Sequence, residues 1–220
     1  AYRTARNKLL SAEKALRRKV EAVAALRREL PAGGAVPEDY VFEVLENGNP
    51  KNVRMSELFE NGDTLLAYSY MDGPKMAKPC PMCTSMLDAL EGNAHHIAQR
   101  TNLVVIAKSP IGRILEFTRA RGWRNLRLLS SANNDYNRAY HGEGPDASQW
   151  PMMNVFVRRN GAVRHFWGSE LLGAKDEPGQ NARHVDMLWP LWNALDLTPE
   201  GRGQAWYPKL DYLPESVTGR

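Results

Sequence analysis

The 220-residue chain has only two cysteines and no long hydrophobic run. So few cysteines exclude a scaffold held together by disulfides, and a chain of this length can bury a core without them. Every apolar stretch ends within a few residues, so we expect no transmembrane helix. With 43% hydrophobic and 25% charged residues, the composition is that of an ordinary globular protein rather than a disordered one.

The net charge of +4 comes from one segment. Residues 1–30 contain nine Lys and Arg against three Asp and Glu, a charge of +6, so the rest of the chain carries −2. No recognition motif accompanies this charge, and we predict no nucleic-acid partner. The segment also lacks the apolar core of a secretory signal. Together with the scarcity of cysteine, this predicts a cytoplasmic protein without a membrane partner.

Apolar residues recur every three or four positions between Thr4 and Leu30, which predicts a long amphipathic helix ended by Pro31. We expect its apolar stripe to pack against its own domain, because three heptads are short for a coiled coil. Four stripe residues are spaced seven apart: Leu9, Leu16, Val23 and Leu30. This spacing leaves a homodimer through the helix as the alternative. We assign residues 1–34 to the helix and 35–220 to one domain with a C-terminal extension.

Strand and helix patterns alternate after this helix. The predicted strands are Val41 to Leu45, Asn52 to Met55 after a turn at Asn47-Gly48, Thr64 to Tyr70, Leu103 to Lys108, Leu126 to Ser130, and the hairpin Met153 to Arg158 with Ala162 to Trp167. Three helices are predicted in this part of the chain. The first begins at the cysteine pair and ends at Gly92, and the second covers Ile111 to Gly122. The closing helix covers Ala182 to Leu195, with a kink at Pro190. This alternation predicts an α/β sheet with right-handed crossovers.

Both cysteines lie in one CxxC motif, Cys80-Pro81-Met82-Cys83, directly after a buried strand. Proline favours the first helical position, which puts Cys80 at a helix N-terminus. Unpaired backbone N–H groups and the helix dipole stabilise a thiolate there. Cys83, one turn further on, is placed to attack the Cys80 sulfur of a mixed disulfide. We therefore predict that Cys80 is a nucleophile and Cys83 its resolving thiol.

A structural disulfide and a metal site are the alternatives for this motif. A bond closing so short a loop contributes only about 2 kcal/mol of stability. Zinc needs two further ligands, and the adjacent His95-His96, for which we expect a surface role near a helix C-terminus, lacks zinc-finger spacing. Copper bound by both thiolates and a distant histidine stays open, because soft thiolates suit Cu(I). We predict no metal, and no organic cofactor because no glycine-rich nucleotide motif is present.

The order of a buried strand, a CxxC motif at a helix start, a strand, a helix, a hairpin and a final helix resembles the thioredoxin-like fold, with extra strands as in peroxiredoxins. In that fold a proline, typically cis, precedes the first hairpin strand and lies beside the CxxC motif. Pro151 matches this position, so the resemblance implies that Trp150 and Pro151 bind the substrate. Neither cysteine has the threonine three residues earlier that marks a peroxidatic cysteine.

The chain also resembles, over nearly its whole length, the bacterial domain-of-unknown-function family 899, whose members are predicted dithiol–disulfide oxidoreductases. The likeness rests on Arg27 to Pro31, Tyr40 to Glu43, Ser56 to Phe59, Cys80 to Cys83, Arg121 to Trp123, Ser130-Ser131 and Leu195 to Arg202. Members carry a histidine before the CxxC motif where this chain has Ser69, so no role of that histidine is carried over. The resemblance implies a fold and a thiol chemistry, and it implies no substrate.

These observations together predict an α/β, thioredoxin-like domain with a peroxiredoxin-like elaboration and an added long N-terminal helix. Its expected activity is dithiol–disulfide exchange with a disulfide-bearing protein or small molecule, supported by an unidentified electron donor. Two other activities stay open at this point. One is a thiol-dependent peroxidase, and the other is a copper-binding or small-ligand-binding protein without turnover.

Overall fold

The computed structural model describes residues 1–46, 48–175, 177–179, 188–200, 203 and 206–210. The α-helices in these residues are α1 (Tyr2–Arg28), α2 (Pro81–Ala98), α3 (Ile111–Arg121), α4 (Tyr136–Ala139) and α5 (Pro190–Leu195). The strands are β1 (Val41–Glu46), β2 (Asn49–Arg54), β3 (Thr64–Tyr70), β4 (Asn102–Ala107), β5 (Arg127–Ser130), β6 (Met152–Arg159) and β7 (Ala162–Gly168). Short 3-10 turns cover Met55–Leu58 and Glu170–Gly173.

The strands form one sheet in the order β2-β1-β5-β4-β3-β6-β7. β3, β4 and β5 run parallel, whereas β6 is antiparallel to β3 and β7 is antiparallel to β6. The hairpin of β1 and β2 extends the sheet through an antiparallel pairing of Glu43 with Ser130. The order β4-β3-β6-β7 at one end of the sheet, with α2 following β3, confirms the predicted thioredoxin-like α/β fold.

The central strand β3 is buried on both faces of the sheet. Tyr68 and Tyr70 lie on the face covered by α2, α3 and α5, which also holds both cysteines. Leu65 and Ala67 lie on the opposite face, which the turn Met55–Leu58 and α4 cover. A strand covered on both faces has no polar side to present to water, so its sequence is a nearly continuous apolar run.

The N-terminal helix α1 has no buried residue, and the prediction that its stripe packs on its own domain is wrong. Leu16 is 60% exposed and Leu26 is 64% exposed. The last turns of the helix meet the domain, where the Arg27 guanidinium lies 4.9 Å from the centre of the Trp167 ring. An amphipathic pattern shows that one face of a helix is apolar, but it does not show which surface packs against that face. The homodimer through this helix stays a prediction.

The long α1 is too highly charged to cross a bilayer. Within the described parts of the chain, no helix combines the length and the apolar character that a membrane span needs.

The segment 33–36 ties α1 to the sheet. The Gly33 N–H donates to the His165 carbonyl at 3.0 Å, and the Val36 N–H donates to the Val163 carbonyl at 2.9 Å. A Cβ atom at Gly33 would lie 2.4 Å from the His165 carbonyl oxygen, so only glycine allows this approach. The segment covers part of the outer edge of β7.

The helix after the CxxC motif is longer than predicted, because α2 continues past Gly92 to Ala98. A glycine inside a helix costs about 1 kcal/mol relative to alanine. Burial of Ala94 against the core on the following turn offsets that cost. His95 and His96 are exposed in the last turn of the helix, as predicted.

The closing helix α5 begins at Pro190, where the sequence predicted a kink inside a helix over 182–195. Proline has no N–H to donate, and none is needed at the first helical position. Trp192, on the predicted apolar side, is fully buried. The earlier part of the predicted helix, 182–187, lies outside the described residues, as does Asn47 of the predicted turn.

The loop between α3 and β5 is fastened to α2 by two carboxylates. Asp88 accepts hydrogen bonds from the Arg121 guanidinium at 3.0 Å and from the Trp123 indole at 2.9 Å. Glu91 accepts backbone N–H groups of residues 124–126. These contacts fasten the CxxC helix to the loop that leads into β5.

We predict that deleting residues 1–20 changes the free energy of unfolding by no more than about 0.5 kcal/mol, because none of these residues is buried and nearly all are exposed. Phe42→Ala is the positive control, since Phe42 is fully buried and its truncation should cost about 3–5 kcal/mol. Denaturant unfolding measures both. A loss of unfolding free energy from the deletion as large as that of the control would contradict the exposed position of α1. Sedimentation of the same proteins tests the predicted homodimer.

Candidate active site

Cys80 lies where the loop after β3 becomes α2. Its N–H donates to the Met71 carbonyl at 3.0 Å, which fixes the start of the helix to the end of the strand. Cys80 is the N-cap residue, and Pro81 is the first helical residue of the 18-residue α2. The predicted placement of Cys80 at a helix N-terminus is confirmed.

The two thiols are free and differ in burial and acidity. Cys80 is 8% exposed, whereas Cys83 is fully buried. Hydrogen bonds from the Cys83 thiol and from the backbone N–H groups of Cys83 and Met82 lower the pKa of Cys80 to about 6, against the opposing effect of burial. Burial and the neighbouring Cys80 sulfur raise the pKa of Cys83 well above its ordinary value. At neutral pH the outer sulfur is therefore a thiolate and the inner one a thiol.

A buried hydrogen-bonded chain supports the first turn of the CxxC helix. The Thr84 hydroxyl donates to the Cys80 carbonyl at 2.9 Å. Because that proton is used, the Thr84 oxygen accepts from the Tyr70 hydroxyl, 2.7 Å away. Burial raises the pKa of Tyr70, which keeps this hydroxyl protonated and able to donate. The chain links β3 to the residue that carries the reactive sulfur.

The inner side of the motif is lined by aromatic side chains. The buried Tyr68 hydroxyl lies next to the Cys83 thiol and has no other hydrogen-bond partner among the described residues. The Trp189 ring packs edge-on against Tyr68, with 6.4 Å between ring centres. Its indole N–H donates to the Met82 carbonyl at 3.1 Å. A residue more than a hundred positions beyond the motif thus forms part of its wall.

The loop that leads from β3 to the motif is held by a buried carboxylate. Asp72 accepts from the Ser109 hydroxyl and the Arg113 guanidinium, both at 2.9 Å. Burial raises the pKa of Asp72, and these two donors oppose that rise. Arg113 also donates to the Met76 carbonyl at 2.6 Å. These bonds join the loop to the start of α3 and so fix the approach to Cys80.

A cavity of about 820 Å³ opens beside the motif, between the loop residues 77–79 and α3. Pro79, which directly precedes Cys80, lies in its wall, together with Arg113 and Phe117. The cavity therefore lies beside the loop that leads into the motif, and neither cysteine is among its lining residues.

Trp150 and Pro151, the predicted substrate-binding residues, lie at the end of the sheet that carries the motif. Pro151 precedes β6, whose Met152 pairs with Ser69 near the end of β3. Trp150 is 46% exposed. No cis peptide bond occurs in the described residues, so the expectation of a cis bond before Pro151 is wrong. Substrate binding by this pair stays a prediction.

Several functional-site residues were missed from the sequence, among them Trp189 and the four that follow. Tyr68 and Tyr70 alternate along β3 on the side that faces the motif, and this period of two was the available signal. Thr84 lies four residues after Cys80, which is one helical turn. Tyr207, whose hydroxyl lies 3.7 Å from the Cys80 sulfur, is 127 residues away and gave no local signal.

Within the described ranges, no group of three or more His, Cys, Asp and Glu side chains is placed to hold a metal ion. The copper alternative required a distant histidine near both thiolates. One histidine that could serve, His184, lies outside the described residues.

The chain therefore belongs to the class of thioredoxin-like domains, with a thiolate and a thiol paired at the start of the helix that follows β3. The chain belongs to the family described as "Bacterial protein of unknown function (DUF899)", which matches residues 1–212. This match confirms the family resemblance found in the sequence. No curated protein matches the chain.

Three solved structures illustrate what the chain is similar to. Enterococcus faecalis AhpC is 11% identical, with 70% of this chain and 87% of that chain covered and a TM-score of 0.47. The mitochondrial 2-Cys peroxiredoxin of Plasmodium falciparum is 17% identical, with 76% and 95% covered and a TM-score of 0.46. The exposed lipoprotein thioredoxin of Streptococcus pneumoniae is 14% identical, with 57% and 87% covered and a TM-score of 0.40. At these values the likenesses carry no information about activity.

We predict that alkylation of Cys80 by iodoacetamide rises with pH to half its maximum near a pKa of about 6, because the thiolate forms above the pKa. Cys83→Ala removes the largest stabilising hydrogen bond, so the midpoint should move to higher pH. Peptide mass spectrometry of the adduct measures both profiles, with Cys80→Ser as the unlabelled control. A wild-type midpoint near the ordinary cysteine value of about 8.5 would contradict the described site.

Proposed function

We propose that the protein is a dithiol–disulfide oxidoreductase in which Cys80 attacks a disulfide and Cys83 resolves the product. The difference between the two thiols carries this proposal. Cys80 is a thiolate that keeps an exposed fraction of 8%, whereas Cys83 is a fully buried thiol one helical turn away. A substrate can approach the first sulfur, and the second can be reached only from inside the motif.

The reaction is a pair of thiol–disulfide exchanges. The Cys80 thiolate forms a bond to one sulfur of the substrate disulfide, and the second substrate sulfur leaves as a thiolate. Cys83 then loses its proton and attacks the Cys80 sulfur, which releases the first substrate sulfur as a thiolate. The substrate is reduced by two electrons, and the protein is left with a Cys80–Cys83 disulfide. An external dithiol then reduces the Cys80–Cys83 disulfide by two further exchanges and is itself oxidised.

The first exchange prepares the second. The negative charge on the Cys80 sulfur is one cause of the raised pKa of Cys83. Once Cys80 is bonded to the substrate sulfur, that charge is gone, and the pKa of Cys83 falls toward the value set by burial alone. Cys83 therefore becomes easier to deprotonate only when there is a mixed disulfide for it to attack.

The substrate class within this proposal is a protein or small-molecule disulfide. The cavity beside Pro79 offers space for part of it, and Trp150 with Pro151 is the proposed backbone contact. The electron donor is a dithiol of unidentified origin, and a reducing cytoplasm is the proposed setting, because there a CxxC pair cycles rather than staying oxidised.

Reduced wild-type protein should release two thionitrobenzoate ions per chain from excess dithiobisnitrobenzoate, one at each exchange. Cys83→Ser should release one and retain the other half as a mixed disulfide on Cys80, because the resolving thiol is absent. Cys80→Ser should react slowly, since the remaining thiol is buried. Absorbance counts the released ions, and intact mass identifies the adduct.

Three results separate this activity from its alternatives. A single release from Cys80→Ser that is as fast as the first release from wild type would exclude Cys80 as the nucleophile. Rapid formation of a Cys80 sulfenate with hydrogen peroxide, without disulfide turnover, would favour the peroxidase. Copper retained through purification and lost in Cys80→Ser would favour the metal-binding protein.

A further inference from the structure

The C-terminal strap, residues 206–210, lies across the start of the CxxC helix. The Tyr207 hydroxyl is 3.7 Å from the Cys80 sulfur. On one side of this contact, the Trp206 ring packs edge-on against Trp192 of α5, with 5.9 Å between ring centres. On the other side, the Leu210 carbonyl accepts from the Arg121 guanidinium at 2.8 Å. The tyrosine is therefore held between two fixed points.

The direction of the contact follows from the charge on the sulfur. A thiolate has no proton, so the Tyr207 O–H must donate and the Cys80 sulfur must accept. Burial and the nearby Cys80 sulfur raise the pKa of Tyr207, which keeps the phenol protonated at neutral pH. The other donors to this sulfur come from within the motif itself. Tyr207 is the donor supplied from a distant part of the chain.

The same contact limits access to the reactive atom. Cys80 is 8% exposed, and the strap residue Leu210 also lies in the wall of the cavity beside the motif. A substrate sulfur can approach the Cys80 sulfur only from a direction that the other residues of the CxxC motif do not block. The side occupied by Tyr207 is the side that faces outward, since Tyr207 itself is 42% exposed.

We propose that Tyr207 is a further catalytic residue, which donates its phenol hydrogen bond to the Cys80 thiolate in the resting protein and withdraws with the C-terminal strap when a disulfide substrate arrives. This inference rests on the proposed oxidoreductase function. The strap is suited to leave because its two aromatic side chains are only half-buried: Trp206 is 49% exposed and Tyr207 is 42% exposed.

The test compares the full-length Tyr207→Phe protein with wild type and with Tyr2→Phe, a matched change at a tyrosine that is 77% exposed on α1. We expect the midpoint of the Cys80 alkylation profile to rise by about 0.5 to 1 pH unit in Tyr207→Phe, because one donor to the thiolate is lost. The midpoint should not move in Tyr2→Phe. A purely structural role of Tyr207 would alter the unfolding curve and leave this midpoint in place.

A second variant tests the withdrawal of the strap. Trp206→Ala removes the ring contact with Trp192, so the first release of thionitrobenzoate at pH 8 should become several-fold faster. A wild-type midpoint in Tyr207→Phe, or a first release in Trp206→Ala that is no faster than in wild type, would overturn the proposal. If those variants still form the Cys80–Cys83 disulfide, the oxidoreductase function stands without it. A wild-type protein that never forms that disulfide would overturn both.

Discussion

The hydrogen bond between the Cys80 N–H and the Met71 carbonyl determines where the central helix begins, and the chemistry of the site depends on it. It places the N-terminus of α2 at the end of the central strand, so the free N–H groups of the first turn point at the Cys80 sulfur. The Thr84 hydroxyl, which accepts from Tyr70, donates to the carbonyl of the same residue. The reactive atom is therefore positioned through the backbone on both sides of its Cα atom.

Two residues of the C-terminal part of the chain contribute to the site around the CxxC motif. Trp189 binds the backbone of the motif from within, and Tyr207 meets its sulfur from outside. A short CxxC motif specifies a thiolate and a resolving thiol, but it does not specify which surface faces the solvent. In this protein residues of the C-terminal part of the chain contact the motif on two sides.

The sequence predicted those features that depend on neighbouring residues. The seven-residue strand β3 was predicted within its exact bounds because both its faces are apolar, and Cys80 was placed at a helix start by Pro81. Other features depend on contacts between distant residues. Gly92 indicated a helix end locally, but packing of Ala94 carries the helix on. The contact of Tyr207 with the motif spans too much of the chain to leave any periodicity or spacing signal.

The two edges of the seven-stranded sheet are closed to further strands in different ways. At one edge, the segment 33–36 already occupies backbone groups of β7. At the other, β2 carries Pro50, which has no N–H to offer, and Lys51, whose charge resists burial against another strand. Self-assembly by continuing the sheet from one molecule to the next is thereby disfavoured at both sides. The protein can therefore keep a sheet of seven strands without the risk of fibre growth that two open edges would bring.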